Sequence, residues 1–273
     1  MSGQWFHLKK RKIAARKKRI VKIIVVIPAR YGSSRFAGKV LAKETGKYLV
    51  QHTYERALCA KTVDLALIAT DDQQVMDACA EFGGECVMTS VKHQSGTDRI
   101  AEAVAKLDVD IIVNLQADEP EIDPDYIDQV AGLLADNPDA NMATLLAPFE
   151  SADDVVNPNV VKCITGKDGK AIYFSRSVIP YDRNAGGVSE VGCYKRHLGI
   201  YAYRKEFLMK YTSLKPSFLE QTEKLEQLRA IENGYTILTA MVGKAWDGID
   251  THKQYRVFVE RMNSEYKAEP SRE

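Results

Sequence analysis

The chain has 273 residues, 45% of them hydrophobic and 27% charged, with a formal net charge of +1. That is enough chain for one large α/β domain, or a domain with a smaller lobe, and the composition fits a soluble enzyme. No run approaches the roughly 18 uninterrupted apolar residues of a membrane span, and the five cysteines (Cys59, Cys79, Cys86, Cys163, Cys193) form no C-x-x-C pair, so the expectation is reduced thiols without a disulfide framework or zinc site.

The charge is uneven. Nine of the 38 basic residues lie within residues 1–22, where there is no acid, which leaves 29 basic against 37 acidic side chains for the body. This N-terminal arm has no long apolar core and so does not read as a secretory signal. It is expected to be a disordered leader, outside a single domain over 23–273. A basic arm could touch nucleic acid or an anionic membrane, but nucleic acid is not the expected partner of the body.

The first element is an apolar, β-branched run, Ile23 to Ile27, that predicts a strand buried on both faces and ending at Pro28. Arg30, Gly32, Ser33, Ser34, Arg35, Gly38 and Lys39 follow at once. Small residues let backbone amides approach an anion, and two Arg and a Lys fix positive charge around it. The implied ligand is a polyphosphate. The spacing is neither a Walker A loop nor G-x-G-x-x-G. Next, Leu49, Val50, Tyr54, Ala57 and Leu58 recur at helical spacing. Leu65 to Ala69 predicts a strand, Val75 to Phe82 a helix stopped at Gly83-Gly84, and Arg99 to Leu107 another helix. A second buried strand spans Val109 to Leu115. Asp123 and Pro124 open a helix to Leu134 as cap and first residue. This alternation predicts a parallel or mixed sheet covered on both faces.

Residues 141–204 change character. Strand-like stretches at Met142 to Leu146, Val160 to Ile164, Ala171 to Phe174 and Leu198 to Tyr203 predict a smaller β-rich lobe, suited to closing over a substrate or pairing subunits. Asn184 to Gly187 reads as a mobile loop. Leu219, Leu225, Leu228 and Ile231 predict one helix stopped by Gly234. A strand from Tyr235 to Val242, a turn at Gly248 to Asp250 and a helix from Tyr255 to Tyr266 complete the chain.

Several polar residues sit where a cleft would form. Asp118 follows the second buried strand and Asp250 lies in the last turn. Alone, each reads as a turn-former or helix cap. Facing a basic phosphate loop, two carboxylates make a site for Mg²⁺ and for transfer at phosphorus. His93 to Arg99 (HQSGTDR) is a polar loop opening a helix, where Thr97 or Asp98 caps the helix or the loop reads a nucleobase. Arg176 on a strand could grip a carboxylate with two hydrogen bonds. His197 and Tyr201, four apart and so on one face of a strand, could bind hydroxyls.

Taken in order, IPARYGSSRFAGK, ATDD, HQSGTDRIAEA, VNLQADEPEI, YFSRSVIPY, HLGIYAYR, LEQTEKLEQLRAIENGY and GIDT resemble the 3-deoxy-manno-octulosonate cytidylyltransferase (CMP-Kdo synthetase) family, from about Val21 to Val257. The resemblance implies a Rossmann-like three-layer α/β/α sandwich of the nucleotide-diphospho-sugar transferase type, in a cytoplasmic homodimer. It implies that CTP and Kdo give CMP-Kdo and pyrophosphate with Mg²⁺, for lipopolysaccharide synthesis. By the same resemblance Ala29, Arg30, Ser33, Arg35 and Lys39 hold the CTP phosphates, with Arg35, Lys39 and Asp118 as the catalytic set. Ser95, Gly96, Thr97 and Arg99 lie around the cytidine. Asp118 and Asp250 ligate Mg²⁺, and Gln116, Arg176, His197, Tyr201, Glu226 and Gln227 hold the Kdo. The chain departs from the family pattern at Ala37 and Ala117, where Pro and Gly are usual. Ala117 would carry strain if its position needs a positive φ. The alternatives are a cytidylyltransferase for 8-amino-Kdo or a sialic acid, and a non-catalytic anion- or RNA-binding protein.

Overall fold

The computed structural model describes residues 21–32, 36–245 and 248–268, the side chains of 265–268 excepted. Ser33 and Arg35 of the phosphate loop, and residues 1–20 of the basic arm, lie outside the described residues. The arm's last residue is tied to the body: the Lys22 amide donates to Asp110 Oδ2 at 2.9 Å and its carbonyl accepts from the Ile111 amide.

The chain begins with β1 (Ile23–Ala29), α1 (Leu49–Leu58), β2 (Leu65–Thr70), α2 (Gln73–Phe82), β3 (Cys86–Met88), α3 (Gly96–Val104), β4 (Ile111–Asn114) and α4 (Pro124–Asp136). It continues through β5 (Met142–Pro148), α5 (Ala152–Val156), β6 (Lys162–Thr165), β7 (Ala171–Ser175) and β8 (Lys195–Arg204). Helices α6 (Lys205–Tyr211), α7 (Phe218–Glu223) and α8 (Leu228–Glu232), strand β9 (Ile237–Met241) and helix α9 (His252–Ala268) complete it. The main path of the sheet runs β3-β2-β1-β4-β8-β5-β9, with β6 and β7 off it. β1, β2, β3 and β4 are mutually parallel, and β8 runs antiparallel to both β4 and β5.

The period of two in β1 builds the three layers. Ile23, Val25 and Ile27 pack with α1, α2 and α4 on one face, while Ile24 and Val26 pack with α3, α6 and α8 on the other. Complete burial of each such side chain contributes about 1.5–3 kcal/mol.

The strand does not stop at Pro28 but pairs with β2 as far as Ala29↔Thr70. The reason is the edge on which the missing N–H falls. Alternate residues of a strand address the same neighbour. The Val26 carbonyl accepts from Leu115 on the β4 side. Pro28 addresses that side too, beyond the last β4 pair, Val26↔Asn114, so no ladder bond is lost.

The β-rich stretch over 141–204 is present, but β5 and β8 belong to the main sheet. What lies off the main path is the β6–β7 hairpin, attached to β8 through Lys162↔Arg196. Asn184 to Gly187 forms a closed turn: Asp182 and Gly187 exchange both backbone hydrogen bonds at 2.8 Å, and Asp182 Oδ1 accepts from the Asn184 and Ala185 amides. The single helix expected from Leu219 to Ile231 is two short ones, broken where Lys224 takes φ 54°, the one positive φ among the described non-glycine residues.

Candidate active site

In the main sheet β1 leads to β2 and β3 on one side and to β4 on the other. Such a reversal opens a crevice at the carboxyl ends of β1 and β4, where open α/β sheets bind ligands. The predicted residues gather there in three groups.

The first group joins the phosphate loop to both carboxylates. Gly38 has φ 67°, the left-handed region that favours glycine, and a Cβ built on it would come 3.1 Å from the Tyr31 ring, so a side chain here would be strained and would push that ring aside. The turn aims the Lys39 ammonium at Asp118 Oδ2 (2.5 Å), the Ile249 carbonyl (3.0 Å) and Asp250 Oδ1 (3.1 Å). The lysine side chain is only 12% exposed. The two loops are fastened together independently of it. The Ile249 amide donates to the Asp118 carbonyl at 2.8 Å, and Ile249 packs with Phe36, Leu49, Tyr255 and Phe258. Gln254 Oε1 accepts from the Asp250 and Thr251 amides, which orients the Asp250 backbone. Two carboxylates and a carbonyl are a hard oxygen donor set, the kind that suits Mg²⁺ alongside substrate phosphates. Ala117 is buried without a positive φ, so the strain considered for it is absent. Its carbonyl accepts from Thr53 Oγ1.

The second group lines a cleft of about 420 Å³ beside the end of β1, walled by Arg30, Asp71, His93, Gln94, Ser95, Gly96, Arg99 and Gln116. Ala29, at the strand end, is fully buried and can offer only backbone. The cap of α3 is Ser95, not Thr97 or Asp98: its hydroxyl accepts from the Asp98 amide. Arg99 is 4% exposed and does not face the cleft as a free cation. It donates to Asp71 Oδ2 and Thr89 Oγ1, each at 2.6 Å, and so holds the loop's shape.

The third group forms a pocket of about 310 Å³ that shares Gly96 and Gln116 with the cleft. Gln116, His197, Tyr201, Glu226 and Gln227, all expected to hold the sugar, line it together with Thr97. Glu226 Oε2 accepts from Thr97 Oγ1 at 3.0 Å, yet Glu226 Oε1 and Gln227 Nε2 are buried without a hydrogen-bond partner. The Arg229 guanidinium stands 3.8 Å from Glu226 Oε1, too far for a hydrogen bond, so both atoms have hydrogen-bonding capacity to spare for water or a bound molecule. Burial raises the pKa of the Glu226 carboxyl against the opposing Thr97 hydrogen bond and the Arg229 charge. Arg229 itself is engaged by both oxygens of Glu220. Burial also holds the Tyr201 phenol in its protonated form.

Arg176 departs from expectation. Its guanidinium donates to the carbonyls of Glu223 (2.7 Å), Pro158 (2.9 Å) and Lys224 (3.4 Å). It braces the α7–α8 break instead of gripping a carboxylate. Among the described residues that line the pocket, the cation is Lys224. Sequence reasoning also missed Asn114 and Tyr203 in this pocket. A buried polar residue closing an apolar strand was the available signal for Asn114, whereas nothing local marked Lys224.

His197 Nε2 lies 3.1 Å from Thr144 Oγ1, and the ring packs edge-on against Phe174. Burial pushes its pKa down to about 3. The imidazole is therefore neutral in the folded chain from pH 7 down to about 3, while the unfolded chain protonates near 6.5. The unfolded state then binds more protons between those values, so stability falls as pH falls from 6.5, by at most about 1.4 kcal/mol per pH unit. Urea unfolding of the wild type and His197→Gln should show the wild-type advantage shrinking between pH 7 and 4.5. A pH-independent difference would mean that His197 titrates normally.

A crevice at a strand-order reversal, with a lysine and two carboxylates at one end and a polar pocket at the other, is a site suited to a nucleotide and a polar second substrate, and comparison with known proteins places the chain among the nucleotidyltransferases of the α/β sandwich class. A family model for cytidylyltransferases matches residues 24–237. The chain is 45% identical over 250 residues to the 3-deoxy-manno-octulosonate cytidylyltransferase of Geotalea daltonii, covering 89% of this chain and 98% of that one. It is equally identical to the enzyme of that name from Rhodopirellula baltica, covering 90% and 100%. The solved structure of a CMP:2-keto-3-deoxy-manno-octonic acid synthetase complexed with CTP superposes with a TM-score of 0.84 at 43% identity, covering 89% of this chain and 99% of that one. The chain belongs to the 3-deoxy-manno-octulosonate cytidylyltransferase family.

Proposed function

We infer that this chain transfers CMP from CTP to the anomeric hydroxyl of 3-deoxy-manno-octulosonate, releasing pyrophosphate. The observation that carries the reading is the pair of orphaned buried atoms, Glu226 Oε1 and Gln227 Nε2, in a pocket continuous with the nucleotide cleft. A sugar hydroxyl can donate to the first and accept from the second, and neutral His197 and protonated Tyr201 add further hydroxyl partners. Lys224 supplies the charge that an acid sugar's carboxylate needs. In this reading the anomeric oxygen attacks the α-phosphorus in line while the bond to the β-phosphate oxygen breaks, so pyrophosphate leaves. The chain's share of the work is positioning and charge neutralisation. Lys39 and Arg30 stand where the triphosphate would lie, joined in this reading by Arg35 and Ser33. Asp118 and Asp250 would hold Mg²⁺, which when bound lowers the pKa of the attacking hydroxyl and screens phosphate charge. By the same reading the protein is a cytoplasmic homodimer serving lipopolysaccharide synthesis.

The test is pyrophosphate release with four nucleoside triphosphates against Kdo, 8-amino-Kdo and a sialic acid. The expected result is turnover with CTP and Kdo well above every other pair. Preference for another acid sugar would reassign the pocket, and no release from any pair would overturn the enzymatic reading.

A further inference from the structure

The Lys39 ammonium does more than wait for phosphate. It sits between Asp118 and Asp250, 2.5 and 3.1 Å from their oxygens, and takes the Ile249 carbonyl as a third partner at 3.0 Å. These are the oxygens that the Mg²⁺ reading assigns to the metal. An ammonium seated between these oxygens and a divalent cation bound to them compete, because two positive charges repel each other at that range. Phosphate oxygens offer the ammonium a second set of charged acceptors on the same side of the cleft.

We propose that Lys39 is a placeholder cation: with no nucleotide bound it occupies the divalent-metal position, and the incoming triphosphate draws it off the carboxylates so that metal enters only with the nucleotide. The proposal rests on the cytidylyltransferase reading for the identity of the nucleotide, but not for the exchange itself. Three features of the chain support it. The two carboxylate loops are fastened to each other without the lysine, through the Ile249 amide and the Phe36–Ile249–Phe258 cluster, so the donor set keeps its shape when Lys39 leaves. The lysine stem springs from the Gly38 turn on the phosphate loop, so a swing of its flexible side chain keeps the ammonium on the nucleotide side. With the lysine in place its charge offsets part of the carboxylates' negative charge, which weakens the pull of the site on stray cations.

The test is Mn²⁺ binding to the full-length, nucleotide-free protein, measured by electron paramagnetic resonance of free Mn²⁺ and by the Mn²⁺-induced rise in melting temperature. Lys39→Met should bind Mn²⁺ roughly 5–150-fold more tightly than the wild type, the span of ordinary coupling between two sites. Lys39→Gln, which keeps a polar group for the two carboxylates, guards against a folding defect and should move in the same direction. Adding Asp118→Asn to Lys39→Met should abolish the gain. Equal or weaker Mn²⁺ binding in both lysine variants would overturn the placeholder and leave Lys39 as a structural tie. The two readings fail separately. A wild type that releases no pyrophosphate beside a Lys39→Met that gains Mn²⁺ affinity would sink the sugar-nucleotide assignment and keep the exchange.

Discussion

Asp118→Asn should lower turnover by about 10²–10³-fold while leaving the fold in place. The figure is the usual loss when one preorganised charge-stabilising group is removed from a site of this kind. Asparagine keeps the shape of the side chain and one oxygen, so packing is undisturbed and only the negative charge goes. In the structure that charge answers Lys39 at 2.5 Å, with the Asp118 side chain 25% exposed and the lysine 12%. The Ile249 amide to Asp118 carbonyl bond remains, because it is made by backbone. Lys39 also keeps the Ile249 carbonyl and Asp250. The stability loss should therefore stay within the range of one charge-assisted hydrogen bond, about 1.5–3 kcal/mol. The check is kcat at saturating CTP, sugar and Mg²⁺, beside a thermal melt. Wild-type turnover in Asp118→Asn at saturating Mg²⁺ would remove this carboxylate from the reaction.

The parts of this site that were legible in the sequence are those set by local rules. The Ile23 to Ile27 run marks a strand buried on both faces because one such strand must be apolar at every position. Asp123 and Pro124 mark the start of α4, and the Asp123 side chain does accept from the Asp125 amide. What escaped is what only tertiary contacts decide. β3 has three residues, too few to show a period. The membership of β5 and β8 in the main sheet depends on pairings such as Ile112↔Tyr203, some ninety residues apart. Lys224 at φ 54° has no sequence signal, since lysine does not favour that region; it is held there by the Leu225 amide to Glu220 carbonyl bond and by Arg176. Arg176 itself has the right residue type for a carboxylate. Its site between Pro158, Glu223 and Lys224 turns it toward carbonyls instead, a matter of where α7 docks on β7.

Arg99→Met should be the most destabilising single change at the site, by about 3 kcal/mol. Removing one partner of a buried ion pair leaves the other charge unanswered, at a cost of about 3–5 kcal/mol when burial is complete. The lower end applies here because the Asp71 side chain keeps 21% of its exposure. The effect reaches further than the pair. Thr89, the second partner of Arg99, is bound through both its amide and its hydroxyl to the Thr70 carbonyl. Arg99 therefore ties the carboxyl ends of β2 and β3 to the first turn of α3, where Gly96 borders both the cleft and the pocket and Thr97 the pocket. Methionine fills most of the volume but offers no donor. At about 2–4 °C per kcal/mol for a domain of this size, the melting temperature should fall by roughly 6–12 °C. The Michaelis constant for CTP should rise with it, since the wall of the cleft loosens. Asp71→Asn should be milder, because the amide oxygen still accepts from Arg99. Thermal melts and CTP kinetics on both variants separate the two roles open to this arginine. A raised CTP constant with an unchanged melting temperature would make Arg99 a residue that reads the nucleotide directly, and its pairing with Asp71 incidental.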